Sequence, residues 1–339
     1  MQNHNKTPKF QLVQVEAPAR LHLGFLDLNG NLGRRFGGLG LTLEGIATEL
    51  EITQARSLLV EGPDTARVRA HDFAASLLET LELPPGVAIR IKRAIPDHIG
   101  LGSGTQLALA VATGLLVLYG IDMDLRKLAG LMMRGMRSGI GIGAFESGGF
   151  LVDGGNGGND RPPPVIMQEN FPDDWRVLLI FDRRGPGIHG KEEVSAFAAL
   201  PEFPASQAAE LCRLLLMQAL PALAEQDHAC FGRAIGRVQQ VVGDYFSPAQ
   251  SGRFSSPEVA RVLAWLEAQE IHGIGQSSWG PTGFAILDSE AAGARMLQSA
   301  RRRFSDRPML HFELVRARNH GGRIDTRPDL HRGPLRAAM

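Results

Sequence analysis

Cysteine is almost absent from this chain: there are two in 339 residues, Cys212 and Cys230. They fall on stretches with helical spacing and show no paired pattern, which excludes a disulfide framework or a cysteine-based metal site. Net charge is absent too. Lys+Arg and Asp+Glu each number 36, so no global field favours nucleic acid or a membrane surface, and any anion site has to be built locally. No apolar run reaches the roughly 20 residues that a membrane-spanning helix needs. The most apolar stretch, LALAVATGLLVL (107–118), reads as a core helix. The opening MQNHNKTPKFQ is polar and has no apolar centre of the signal-peptide kind, so a cytoplasmic address is expected. No internal repeat is visible.

What is present is enough apolar material, 44% of residues, for one large domain or two ordinary ones. KFQLVQVEAPARLHLGFLDL (9–28) alternates in the strand manner, and 48–62 reads as a second pair of strands joined by a turn. Helical spacing marks 69–83, 103–119 and 124–137, with strands at 87–95 and at FLVDGG. The tract GGNGGNDRPPP (154–164) breaks regular structure and suggests domains at 1–165 and 166–320. Beyond it come a strand (175–182), a mainly helical region (206–244), helices at 255–271 and 290–304, and strands after 273 and at 309–317. The polar, Pro/Gly-punctuated 321–339 reads as a flexible tail. Strands and helices mix without regular alternation, which is the pattern of an α+β fold.

The densest glycine signal is IPDHIGLGSGTQLALA (95–110), where Gly100, Gly102 and Gly104 separate a short charged strand, VAIRIKRA, from an uncharged helix. Glycines let the backbone turn until several N–H groups converge, and the following helix adds the positive end of its dipole. Such a loop cradles phosphate. Neither common nucleotide fingerprint fits, since GxxxxGK[ST] lacks its lysine here and GxGxxG read from Gly102 meets Leu107. A plain strand-to-helix connection therefore stands beside the anion site as a reading.

Three segments, APARLHLGFLDLNG, PDHIGLGSGTQLALA and GQSSWGPTGFAIL, stand in the order and positions of the three motifs of the GHMP superfamily of small-molecule kinases, and the chain resembles that group over nearly its whole length. Within it, ARLHLGFLDLNG, RRFGGLGLTLE, GIGAFESGGFLVDGG and GPGIHGKEE are most similar to the beta-ribofuranosylaminobenzene 5'-phosphate synthase family of tetrahydromethanopterin biosynthesis. The resemblance implies an N-terminal mixed β/α half, a ferredoxin-like C-terminal half, and a site between them. It also implies a reaction, in which phosphoribosyl pyrophosphate condenses with 4-hydroxybenzoate or 4-aminobenzoate and releases pyrophosphate and carbon dioxide, a departure that calls for Mg²⁺ as the cofactor. A homodimer, the commonest closed assembly, is the expected oligomer. Two departures point away from ATP-dependent phosphoryl transfer. Ser103-Gly104-Thr105-Gln106 stands where the kinases carry Ser-Ser-Ala, and Ser278-Trp279-Gly280-Pro281-Thr282-Gly283 replaces a denser glycine run. A kinase of the same fold and a non-catalytic nucleotide- or phosphate-binding protein are the alternatives.

Pyrophosphate departure builds negative charge and leaves a cation-like ribosyl carbon, so the site needs cations, backbone N–H groups and an apolar slot for the ring. Arg20 and His22 share one strand face with Asp27 just beyond, fitting them to bind phosphate, move a proton and hold Mg²⁺ respectively. Gly100, Gly102, Ser103, Gly104 and Thr105 form the expected cradle, and Ser278 and Thr282 the third loop. Arg34 and Arg35, between glycines, are candidates to fork onto a phosphate or carboxylate. Arg183, His189 and Lys191 suggest a lid over an anionic substrate. Glu146 is a second acid/base or metal candidate; Asp153 reads as a turn residue, and Asp97 and His98 as groups supporting the cradle.

Overall fold

A computed structural model describes residues 8–185, 200–250 and 252–328. Two long strands, β1 (Phe10–Asp27) and β2 (Phe36–Gln54), form its spine. At 18 and 19 residues they are about twice the usual maximum, and that length carries them through two cores. The first half of β1 and the second half of β2 bury Val13, Val15, Leu50 and Ile52 against α1 (Asp64–Thr80) and α2 (Ser103–Tyr119). Past a register shift between Pro18 and Arg20, Leu21, Leu23, Leu39 and Leu41 face a second core instead. The sheet has seven strands in the order β11-β1-β2-β4-β3, where β3 is Leu59–Glu61, β4 is Val87–Arg93 and β11 is Arg323–Pro328. β5 (Phe150–Asp153) pairs with the far half of β2, and β6 (Val165–Glu169) with β5.

The second sheet contains β7 (Arg176–Asp182), β8 (Ile274–Gln276), β9 (Gly283–Leu287) and β10 (Leu310–Val315). Its order β10-β7-β9-β8, all antiparallel, with helices between β7 and β8 and between β9 and β10, is the ferredoxin-like arrangement. Alternate residues of β7 serve different cores, as strand geometry requires. Val177 and Leu179 join Leu21, Leu23, Leu211 and Phe231, while Leu178 and Ile180 pack on α8 (Pro257–Glu267) and α9 (Glu290–Arg303). The shared core is completed by α5 (Ala205–Leu214), a π-helical turn (Leu215–Ala219), α6 (Leu220–Ala224) and α7 (His228–Gln250). The expected α+β class with a ferredoxin-like C-terminal half is the observed one.

Three elements differ from the sequence reading. Of the stretch expected as one helix over 124–137 only α3 (Leu125–Leu131) is helical; a turn with Gly135 at a φ of 74° ends it, and a separate α4 (Ile140–Glu146), not expected from the sequence, follows after Gly139, which packs tightly on Pro163. The strand pair expected over 48–62 is the end of one continuous β2 followed by the short β3. Residues 323–328, assigned to a flexible tail, form β11 and pair with Phe10–Glu16. The buried Arg318 guanidinium anchors them, bonding Glu16, the Gly321 carbonyl at 2.9 Å and the His320 carbonyl at 3.3 Å. Among the described residues no helix is long and apolar enough to cross a membrane.

Candidate active site

α2 begins and ends on left-handed glycines, Gly102 (φ 83°) and Gly120 (φ 62°), and is buried on nearly every side. An apolar helix in that position is fixed, so its N-terminus is a fixed positive pole. Gly102 has no side chain with which to cap the helix, and its carbonyl accepts from the Thr105 and Gln106 amides at 3.1 and 3.0 Å. The helix itself offers no acceptor to the Ser103 and Gly104 N–H groups.

The loop leading into α2 is gripped from two sides. The Gly100 carbonyl accepts from Arg20 Nη1 at 2.5 Å and from Ser277 Oγ at 2.8 Å. Ser277 Oγ also accepts from the His22 amide at 2.9 Å, and the Ser278 amide donates to the His22 carbonyl at 3.2 Å. Gly100 and Gly280 touch through their backbones, so a Cβ on either strikes the other loop. The three segments singled out in the sequence therefore meet at one point: Arg20 and His22 from β1, the glycine loop, and 277–282.

Arg20 is half-buried, with its Nε shielded from solvent and unpartnered, and burial lowers its pKa to about 10. His22 is 3% exposed, and neither ring nitrogen has a hydrogen-bond partner. Burial, reinforced by the Arg20 charge, lowers its pKa to about 3. The imidazole is therefore neutral near pH 7 and a weak base. Its ring lies 4.5 Å from that of Phe25. The Thr282 hydroxyl is likewise fully buried and unpartnered, and Thr105 sits in the first turn of α2 against Gly141.

Asp97 opens the loop. Burial pushes its carboxyl up, but the Arg69 guanidinium and the Ser103 and Thr65 hydroxyls outweigh this and hold it below the usual range. On the outer side of the loop lies a cavity of about 660 Å³. Asp97, Ile99 and Leu101 line one wall, and Phe181, Arg183 and His311 the other. The Phe181 and His311 rings stack at 6.0 Å, and burial together with the Arg183 charge lowers the His311 pKa.

Other candidates lie apart. Asp27 is seven residues beyond Arg20 on the same strand, about 20 Å away at strand rise. Its Oδ1 accepts from the Asn29 and Gly30 amides at 2.9 Å each, closing the turn after β1. Arg34 forks onto the Gly154 and Gly155 carbonyls, both at 2.6 Å, and Arg35 Nε donates to the Leu28 carbonyl at 3.0 Å. These two arginines staple loops. Glu146 is exposed at the end of α4, beside Gly321. Asp153 is more than a turn residue: fully buried, it accepts from the Ser138 hydroxyl and the Gly139 and Gly155 amides, and burial raises its pKa. His189 and Lys191 lie outside the described residues. Sequence reasoning passes over Ser277, although it precedes Ser278 in the same motif, and over Arg69, which carries no motif signal. Among the described residues no three His, Cys, Asp or Glu side chains converge as a metal cage.

The family models for the GHMP kinases N-terminal domain and C-terminal domain match residues 68–149 and 219–306. The beta-ribofuranosylphenol 5'-phosphate synthase of Archaeoglobus fulgidus is 34% identical over 328 residues, covering 93% of this chain and 100% of the relative. That of Methanocaldococcus jannaschii is 33% identical over 304 residues, 81% of this chain and 90% of the relative. The solved mevalonate diphosphate decarboxylase of Staphylococcus aureus superposes with a TM-score of 0.66 at 13% identity, over 93% of this chain and 98% of that one, and so shares the fold. The meeting of the three motif segments around Gly100, with these matches spanning both halves, places the chain in the beta-ribofuranosylphenol 5'-phosphate synthase family of the GHMP superfamily.

Proposed function

We propose that this chain condenses phosphoribosyl pyrophosphate with 4-hydroxybenzoate, releasing pyrophosphate and carbon dioxide and leaving a ribofuranosylphenol 5'-phosphate. The relatives are named for a phenol product, which favours the hydroxyl over the amino acceptor. The observation that carries the reading is the anion site itself: free helix amides at Ser103 and Gly104, with the Arg20 guanidinium held against Gly102.

The C1–O bond of the ribosyl donor breaks with its electron pair on pyrophosphate, where the α2 amides and Arg20 stabilise the growing charge. The ring carbon bearing the carboxylate bonds to C1, and loss of carbon dioxide returns its electron pair to the ring. No general base is needed for that step, which suits a His22 kept neutral by burial. The cavity beside the loop supplies apolar walls at Ile99, Leu101 and Phe181 for the acceptor ring, and Arg183 at its rim for the carboxylate. The described residues do not build a cage for Mg²⁺; the ion belongs with the pyrophosphate that it accompanies, and no step here runs through it. A cytoplasmic homodimer is part of the proposal: Cys212 and Cys230 are both free, as suits a reducing compartment, and a two-fold dimer is the commonest closed assembly.

Incubating the purified chain with phosphoribosyl pyrophosphate and 4-hydroxybenzoate tests the reading. Pyrophosphate release that depends on the benzoate supports it. ADP formation from ATP with a small acceptor, and no pyrophosphate, would move the assignment to a kinase.

A further inference from the structure

Two guanidinium groups, those of Arg20 and Arg69, lie against the first turn of α2, and a third, that of Arg134, neighbours Arg69; the proposed reaction uses Arg20 alone. Arg69, from α1, lies against the backbone of Gly104, where an added Cβ would come within 2.6 Å of its Nη2. It pairs with Asp97. Arg134, in the turn after α3, holds its guanidinium carbon 5.0 Å above the ring of Phe73 on α1. Arg134 makes no ion pair among the described residues, and its Nε is shielded from solvent without a hydrogen-bond partner. Burial and the neighbouring Arg69 charge both oppose the charge on Arg134. Two neighbouring cations, only one of them paired with a carboxylate, raise the free energy of the empty fold, and an anion between them removes that cost.

We propose that Arg69 and Arg134 form a clamp for the diphosphate of the ribosyl donor, closing over the start of α2 from the side opposite Arg20. The identity of the donor rests on the synthase reading; the clamp rests on the arginines. The anion's charge follows from the balance of groups. One guanidinium and two amides match a single phosphate, whereas three guanidiniums, one carboxylate and the positive pole of a 17-residue helix match a more highly charged one. Gly102 lies against Arg20 and Gly104 against Arg69, so cations flank the turn on both sides. Placed there, the pair stabilises charge on the leaving group as the C1–O bond breaks.

Titration calorimetry with inorganic pyrophosphate and with ribose 5-phosphate tests the clamp, on wild type, Arg134→Gln and Arg69→Lys, with thermal melts to verify folding. Arg134→Gln is expected to weaken pyrophosphate binding about tenfold or more, the usual loss for a charge-assisted contact, with ribose 5-phosphate binding unchanged. Arg69→Lys keeps the charge and the Asp97 partner but loses the fork, and should weaken pyrophosphate binding less. If Arg134→Gln does not fold, Arg134→Lys replaces it, which keeps the charge and loses the fork and is expected to weaken pyrophosphate binding by the smaller amount, again with ribose 5-phosphate binding unchanged. Unchanged pyrophosphate affinity in the folded variants, or an equal loss for both ligands, overturns the clamp. Wild-type turnover measured alongside keeps the two claims apart. Pyrophosphate binding through Arg134 without any synthase turnover supports the clamp and sinks the synthase reading; turnover with pyrophosphate affinity indifferent to both arginines does the reverse.

Discussion

Replacing Gly100 by alanine puts a methyl group onto the Ser277 carbonyl oxygen and 3.1 Å from Gly280 Cα, at a backbone φ of 89°. The left-handed conformation costs an L-residue about 1–2 kcal/mol, and forcing an extra carbon into packed surroundings about 1–3 more. The strain is relieved only if the glycine loop and the 277–282 loop separate, which breaks the Arg20 and Ser277 bonds to the Gly100 carbonyl. We expect a loss of about 2–5 kcal/mol, a fall in melting temperature of roughly 3–7 °C, and a raised KM for phosphoribosyl pyrophosphate. Gly280→Ala attacks the same contact from the other side without the positive φ, so it should cost less. The double variant should cost less than the two losses added, because once the loops part the second methyl meets open space. Denaturant and thermal melts of the three variants, with KM measured on each, make the assay. A Gly100→Ala protein melting within about 1 °C of the parent, or strictly additive losses, would refute the contact between the loops.

The buried His22 predicts a pH dependence of stability. Its folded pKa, about 3, lies below the ordinary 6.5, so its contribution is fully present above about pH 6.5 and is lost as pH falls toward 3, by up to about 5 kcal/mol. Denaturant melts across that range should steepen with acid in the parent and less so in His22→Asn; identical profiles would contradict the burial argument. Arg318→Ala removes the anchor of β11 and leaves Glu16 with only the longer 3.9 Å contact to Arg323, a loss of about 3 kcal/mol with new proteolytic cleavage near residue 320; unchanged protease resistance would refute it. Arg20→Lys keeps the charge and loses the fork, and should raise the KM for phosphoribosyl pyrophosphate more than it lowers kcat; an unchanged KM would remove Arg20 from the site.

Legibility follows physical cause. α2 is readable to the residue because an apolar run bounded by glycines has a single good solution, a buried helix with left-handed ends. β2 is hidden between 36 and 47 because Gly37, Gly38 and Gly40 lower strand propensity. Two of them are glycine for a tertiary reason: a Cβ on Gly38 would press on Asp153, and one on Gly40 on Ile140. β11 carries no apolar alternation, since every residue in it is exposed, and its pairing depends on an arginine whose burial is invisible in sequence. The site shows the same division. Spacing puts Arg20 and His22 on one face and the glycines at a helix start, whereas Asp27 and Arg35 bond nearby backbone and Arg34 the distant Gly154 and Gly155 carbonyls, roles as available to them as ligand binding. Arg69 and Arg134 lie at no motif, and only packing brings Arg69 to α2 and Arg134 over Phe73 of α1.

The most direct test of the synthase reaction follows the carboxylate. With phosphoribosyl pyrophosphate and carboxyl-labelled 4-hydroxybenzoate, and no ATP, the proposed chemistry predicts labelled carbon dioxide released in step with pyrophosphate, one for one, and a ribosylated phenol as product. Pyrophosphate release with the label retained on the benzoate, or carbon dioxide release that requires ATP, would contradict it.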